Sequence, residues 1–135
     1  MTDLMKSFMM YNELSYLDLK GAKMSDRAIK KLIKLFQQLP LRHLNMSWVG
    51  ISSTVCEHLF LALIKAKKLR YFAFKANQIF RQDIPRTVNN LIKFHKTLIH
   101  LDLTSCGRLD HTELALSLRS SECLLCIHIS INKII

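Results

Sequence analysis

Four side chains in the second half of the chain are of the kinds that build metal sites or arm a thiol: His100, Asp102, Cys126 and His128. They come from His100-Leu101-Asp102 and Cys126-Ile127-His128, where one apolar residue separates each polar pair. On adjacent strands, alternation would place all four on one face, with about 5 Å between neighbouring strands. Two imidazoles, a carboxylate and a thiol form a donor set for zinc. A histidine beside a cysteine is also how a nucleophilic thiolate is generated. Against this stands a solvated sheet that has gathered polar residues with no joint task. That reading sets the expectation: no metal, no cofactor and no catalytic residue. Cys123-x-x-Cys126 does not change it, because the pair straddles a helix end and a strand start. A thiol-activating position is a helix N-terminus. There is no GxSxG, no HExxH and no phosphate-cradling glycine loop, and the chain holds only three glycines.

Cations provide a second chemistry. The 135 residues carry a net charge of +10, unevenly spread. Lys20 to Arg42 holds seven basic residues against Asp26, and Lys65 to Lys96 holds nine against Asp83. Arg27, Lys30, Lys31, Lys34, Lys65, Lys67, Lys68, Arg86, Lys93 and Lys96 are the candidate anion-binding set. Their expected partners are acidic proteins or nucleic acid, held by salt-dependent, sequence-blind attraction. With half its residues apolar, the chain has material for a core. Its four cysteines are therefore expected to be reduced rather than a disulfide framework. No apolar run suits a membrane helix, and the N-terminus lacks an early basic cluster. An intracellular, cytoplasmic setting without membrane insertion is expected.

These residues need elements to position them, and the sequence repeats the necessary phrase. Leu98-Ile99-His100-Leu101-Asp102-Leu103 matches Leu14-Ser15-Tyr16-Leu17-Asp18-Leu19, Leu41 to Met46, Leu69 to Phe74 and Leu124 to Ile129. The leading leucines are spaced 27, 28, 29 and 26 residues apart. Strands are predicted at 14–19, 41–46, 69–74, 98–103 and 124–129. Amphipathic helices are predicted between them. Ser25 caps the first, in which Ile29, Leu32, Ile33 and Phe36 form one stripe and the basic residues another. The next begins at a capping box, Thr54-x-x-Glu57. The third has Pro85 in its first turn, with Val88, Leu91, Ile92 and His95 inward. The fourth begins at Asp110-x-x-Glu113. Residues 1–13 read as a helix tail, with Leu4, Met5, Phe8 and Met9 at helical spacing.

A repeated strand, turn and helix is a solenoid in which each unit buries its apolar face against its neighbours. At these lengths the pattern resembles the ribonuclease-inhibitor-like type of leucine-rich repeat, over essentially the whole chain. The resemblance implies an α/β fold: a right-handed horseshoe arc with parallel strands on the concave face and helices on the convex face. It divides the chain into repeats 14–40, 41–68, 69–97 and 98–123 of a single domain, with half-repeats 1–13 and 124–135. It also implies binding on the concave face. The family places asparagine or cysteine eight residues after the first leucine. Asn77, Cys106 and Asn132 comply, but Ala22 and Val49 do not, so the first two turns are expected to be irregular.

Stacked repeats align their outward residues in columns: Tyr16, His43, Tyr71, His100, Cys126; then Asp18, Asn45, Ala73, Asp102, His128; then Lys20, Ser47, Lys75, Thr104, Ser130. Aromatic side chains among hydrogen-bonding groups are typical of protein-binding hot spots. The candidate partner-binding set is Tyr16, Asp18, His43, Asn45, Trp48, Tyr71, Lys75, His100, Asp102 and His128. The leading expectation is a non-catalytic protein–protein interaction scaffold. The alternative is a basic anion-binding component of a ribonucleoprotein or acidic-polymer assembly. The apolar terminal segments, with Ile131, Ile134 and Ile135, also suggest end-to-end association or a longer array.

Overall fold

A computed structural model describes residues 3–77, 84–129 and 133–134. Five strands, β1 (Tyr16–Asp18), β2 (His43–Asn45), β3 (Tyr71–Ala73), β4 (His100–Asp102) and β6 (Cys126–His128), form one parallel sheet in that spatial order. Helices α1 (Asp3–Met10), α2 (Asp26–Phe36), α3 (Ser53–Ile64), α4 (Ile84–Phe94) and α5 (His111–Ser120) alternate with them. A second, two-stranded parallel pair, β5 (Arg108–Leu109) with β7 (Lys133–Ile134), has no counterpart in the sequence expectation. A parallel sheet built in chain order, with a helix between successive strands, fits a leucine-rich-repeat-like fold.

Each strand occupies the middle of its leucine phrase, and main-chain bonds extend the pairing on both sides. Arg42 N–H donates to Ser15 O, and Leu19 N–H to Asn45 O, both at 2.8 Å. The register follows the spacing, with Leu17, Leu44, Phe72, Leu101 and Ile127 in line across the sheet. The first four of these are buried and merge with the helix stripes into one core. Phe60 on α3 meets Phe74 edge-on at 5.2 Å and Phe72 at 5.8 Å, locking that helix onto β3.

The caps are partly those anticipated. Ser25 Oγ accepts from Ala28 N at 3.2 Å, and Asp110 Oδ1 accepts from Thr112 and Glu113 N at 2.9 and 3.0 Å. The Thr54 box does not form. α3 starts earlier, with Ser52 at the N-cap, and the Ser52 hydroxyl donates instead to Asp26 Oδ2 on α2 at 2.9 Å. Tertiary bonding thus overrides the local motif.

The first two turns are regular, contrary to expectation. Gly21, Trp48, Ala76 and Ser105 all adopt positive φ, between 58° and 73°, at the same place in successive repeats. Gly21, Trp48 and Ala76 each donate to the next turn, at Ser47, Lys75 and Thr104 O, at 2.8–2.9 Å. Val49, which lacks a polar side chain, is buried in a turn served from its neighbour. Asn77 Oδ1 accepts from Gly50 N at 3.0 Å, while its Nδ2 donates to Met46 O at 2.7 Å and Phe74 O at 3.2 Å. Cys106 Sγ reaches back in the same way, donating to Phe74 O at 2.9 Å. Asn132 lies outside the described residues, as do Ser130 and Ile131, and the side chains of Ile134 and Ile135.

Candidate functional site

Register and pleat bring four rings together on the exposed side of the sheet. Tyr16 stacks on His43 with centroids 4.1 Å apart, His43 on Tyr71 at 4.1 Å, and Tyr71 on His100 at 4.6 Å. The interplanar angles are 15°, 5° and 28°. Centroids this close match the strand spacing, so the sheet itself sets the stack. The fifth place in that column belongs to Cys126, which has no ring. His128, two residues further on, leans over to fill it and stacks on His100 at 4.9 Å. Tyr16 at one end is 59% exposed, and Trp48 beside the second turn is 57% exposed. Burial pushes the His43 and His100 pKa values below the ordinary imidazole value. The opposing pull of Asp18 on His43, and of Asp102 on His100, is smaller. The Tyr71 phenol is pushed up, first by burial and then by Asp102. Both effects favour the uncharged forms of His43, Tyr71 and His100 at neutral pH.

Several of the other candidate residues turn out to be engaged in the fold. Asp18 Oδ1 accepts from Lys20 N at 2.9 Å, Asn45 Oδ1 from Ser47 N at 3.0 Å, and Asp102 Oδ1 from Thr104 N at 2.9 Å. Three repeats thus use a carboxylate or amide to hold the turn two residues on. The sequence carries the signal as Asp or Asn recurring at one repeat position, where a short side chain on an outward face equally suits a partner contact. Ala73, Ser47 and Thr104, expected to face outward, are buried. Ser47 Oγ accepts from Lys75 N at 3.1 Å, which draws it inward. Lys75 remains exposed.

Of the four residues with metal chemistry, three converge. The ligand atoms of His100, Cys126 and His128 lie within 4.8 Å of one another, and Cys126 Sγ is 3.3 Å from His128 Nε2. Asp102 is not among them, its Oδ1 being bonded into the turn. Cys123 is turned elsewhere and donates to His95 O at 3.1 Å, so the two sulfurs of the CxxC segment serve different partners. Cys56 and Cys106 are buried, which pushes both thiols up to about 12 and leaves them inert.

The basic candidates lie on α2 and α4 and in the segments that follow α3 and α4. Arg27, Lys30, Lys34, Lys65, Lys67, Lys68, Arg86, Lys93 and Lys96 are exposed, whereas Lys31 is half-buried, contrary to its expected place on the solvent stripe. Lys96 pairs with Glu122 at 3.3 Å, and Lys93 lies over the Phe94 ring. Between α2 and α3, Lys30, Lys34 and Lys65 border a groove of about 360 Å³ that Ile33, Leu61 and Ala62 also line.

The fold has a counterpart among known structures. No protein-family model and no curated protein sequence matches the chain. Among solved structures it is similar to the tropomodulin C-terminal domain of Caenorhabditis elegans, with a TM-score of 0.79. The alignment covers 96% of this chain and 84% of that one, at 16% identity. The likeness is one of fold. Among the described residues, no helix is long and apolar enough to cross a membrane.

Proposed function

We propose that this chain is a non-catalytic protein-interaction module: a single-domain, right-handed solenoid of repeats 14–40, 41–68, 69–97 and 98–123 that binds a partner protein on its concave, strand-bearing face. The observation that carries this reading is the five-ring ladder from Tyr16 to His128 with Trp48 beside it. Stacked rings offer a rigid apolar edge with hydrogen-bonding tips, and their order costs a partner little further entropy. Trp48 adds to the case. The turn conformation shared by successive repeats holds this bulky side chain exposed, at a cost of about 1–2 kcal/mol relative to its ordinary conformation.

A second reading rests on the groove between α2 and α3, where three lysines adjoin apolar side chains: an acidic partner could dock there instead. Substitutions separate the two. Trp48→Gly is expected to leave stability within about 1 kcal/mol of wild type, because relief of left-handed strain offsets the added chain entropy. Yet it should weaken partner capture on immobilised protein about tenfold or more, as should Tyr71→Ala at the ladder's centre. The triple change Lys30→Glu, Lys31→Glu, Lys34→Glu should leave capture intact. Capture that survives the ring variants and is lost in the charge swap overturns the first reading in favour of the second.

A further inference from the structure

From the convergence of His100, Cys126 and His128, we propose a binding site for a thiophilic d10 cation of the Zn²⁺ class. The site shares His100 and His128 with the far end of the ladder but takes nothing from Trp48 or Tyr71. Its three donors come from β4 and β6, adjacent strands of one sheet, so the backbone already brings them together. One imidazole and the thiol are in contact at 3.3 Å, and all three ligand atoms lie within 4.8 Å of one another. A tetrahedral zinc centre with bonds of about 2.0–2.3 Å needs its ligand atoms about 3.3–3.6 Å apart. Closing from 4.8 Å requires only side-chain rotation on a face where His100 and Cys126 are half-exposed and His128 is exposed.

A thiolate with two imidazoles selects zinc, cobalt(II) or copper(I) over magnesium or calcium. Binding releases the Cys126 thiol proton to solvent as the sulfur–metal bond forms. Three protein ligands leave a fourth position to water or to a donor from another molecule. The ion would also draw His100 and His128 out of their stacking geometry, because both lone pairs must point at one centre. Occupancy and the intact far end of the ladder therefore exclude each other.

Titration of the reduced full chain with Zn²⁺ against a chromophoric chelator tests this, with Co²⁺ as the spectroscopic probe. The expected result is one metal per chain, intense tetrahedral cobalt bands and a thiolate-to-cobalt charge-transfer band. Cys126→Ser should abolish the charge-transfer band and weaken zinc binding about tenfold or more, and His128→Asn should weaken binding similarly. Cys123→Ser should leave both signals unchanged, and circular dichroism should show all variants folded. Absent binding, a six-coordinate cobalt spectrum without the sulfur band, or affinity unaltered in Cys126→Ser would each overturn the site. Partner capture through Trp48 and Tyr71, measured with a chelator present, is a separate readout, so either proposal can fail while the other stands.

Discussion

Asn77→Ala should destabilise the protein by about 3–5 kcal/mol, a loss usually seen only when a buried polar network or a large core side chain is removed. Asn77 is 0% exposed and serves four backbone groups. It accepts from Gly50 and, more weakly, from Ile51 N at 3.4 Å, and donates to Met46 and Phe74. Alanine leaves these groups buried without partners, each at a cost of about 1–3 kcal/mol if water cannot enter. Asn77→Asp should be nearly as damaging. It keeps the acceptor, but turns a donor into a charge facing the Met46 and Phe74 carbonyls. Urea unfolding monitored by circular dichroism measures both. A loss below about 1 kcal/mol for alanine would mean that the turn has other means of satisfying itself.

His95→Gln is expected to cost about 1–3 kcal/mol at pH 7.5 and to flatten the dependence of stability on acid. His95 is 2% exposed at the end of α4, where Nδ1 accepts from Leu98 N at 2.9 Å and Thr97 N at 3.2 Å. The proton therefore belongs on Nε2, which makes no well-formed hydrogen bond although the Leu63 and Ala66 carbonyls lie nearby. Burial holds the pKa below that of a free imidazole, outweighing those carbonyls. The unfolded chain thus takes up the proton first. Stability contributed by the neutral ring is complete above about pH 6.5, falls as the pH drops through that value towards the folded pKa, and then levels off. His43 and His100 shift in the same direction, but they are on the more accessible ladder and remain in the variant. The difference between the two melting-temperature curves from pH 7.5 to 5 therefore reports His95. Parallel curves would show that its protonation is not linked to folding.

Much of the fold was legible because leucine phrases repeat at nearly constant intervals and alternate apolar with polar residues. That pattern allows one strand register, and the first two predicted columns pair as expected. Legibility failed where a side chain answers to something outside its own repeat. Thr54 looked like a cap, but the Ser52 hydroxyl bonds to Asp26, 26 residues earlier. Val49 looked like a defective turn, yet Asn77 supplies what it lacks. Asp18, Asn45 and Asp102 looked like surface chemistry, yet they brace the turns that follow them. The ring column was readable from spacing. Its continuation through His128 was not, since that depends on a side chain two residues beyond the column turning onto His100. The pairing of β5 with β7 rests on two residues each, too few for any periodic signal.

The reach of Asn77 into the preceding turn also governs how the molecule can come apart. The second and third repeats are stitched by a side chain that belongs to one and finishes the other. Opening the third repeat therefore strips the second of its closure. Amide exchange at Gly50 should consequently slow and quicken with the fate of residue 77 rather than with the melting of its own loop, and the two units should open together.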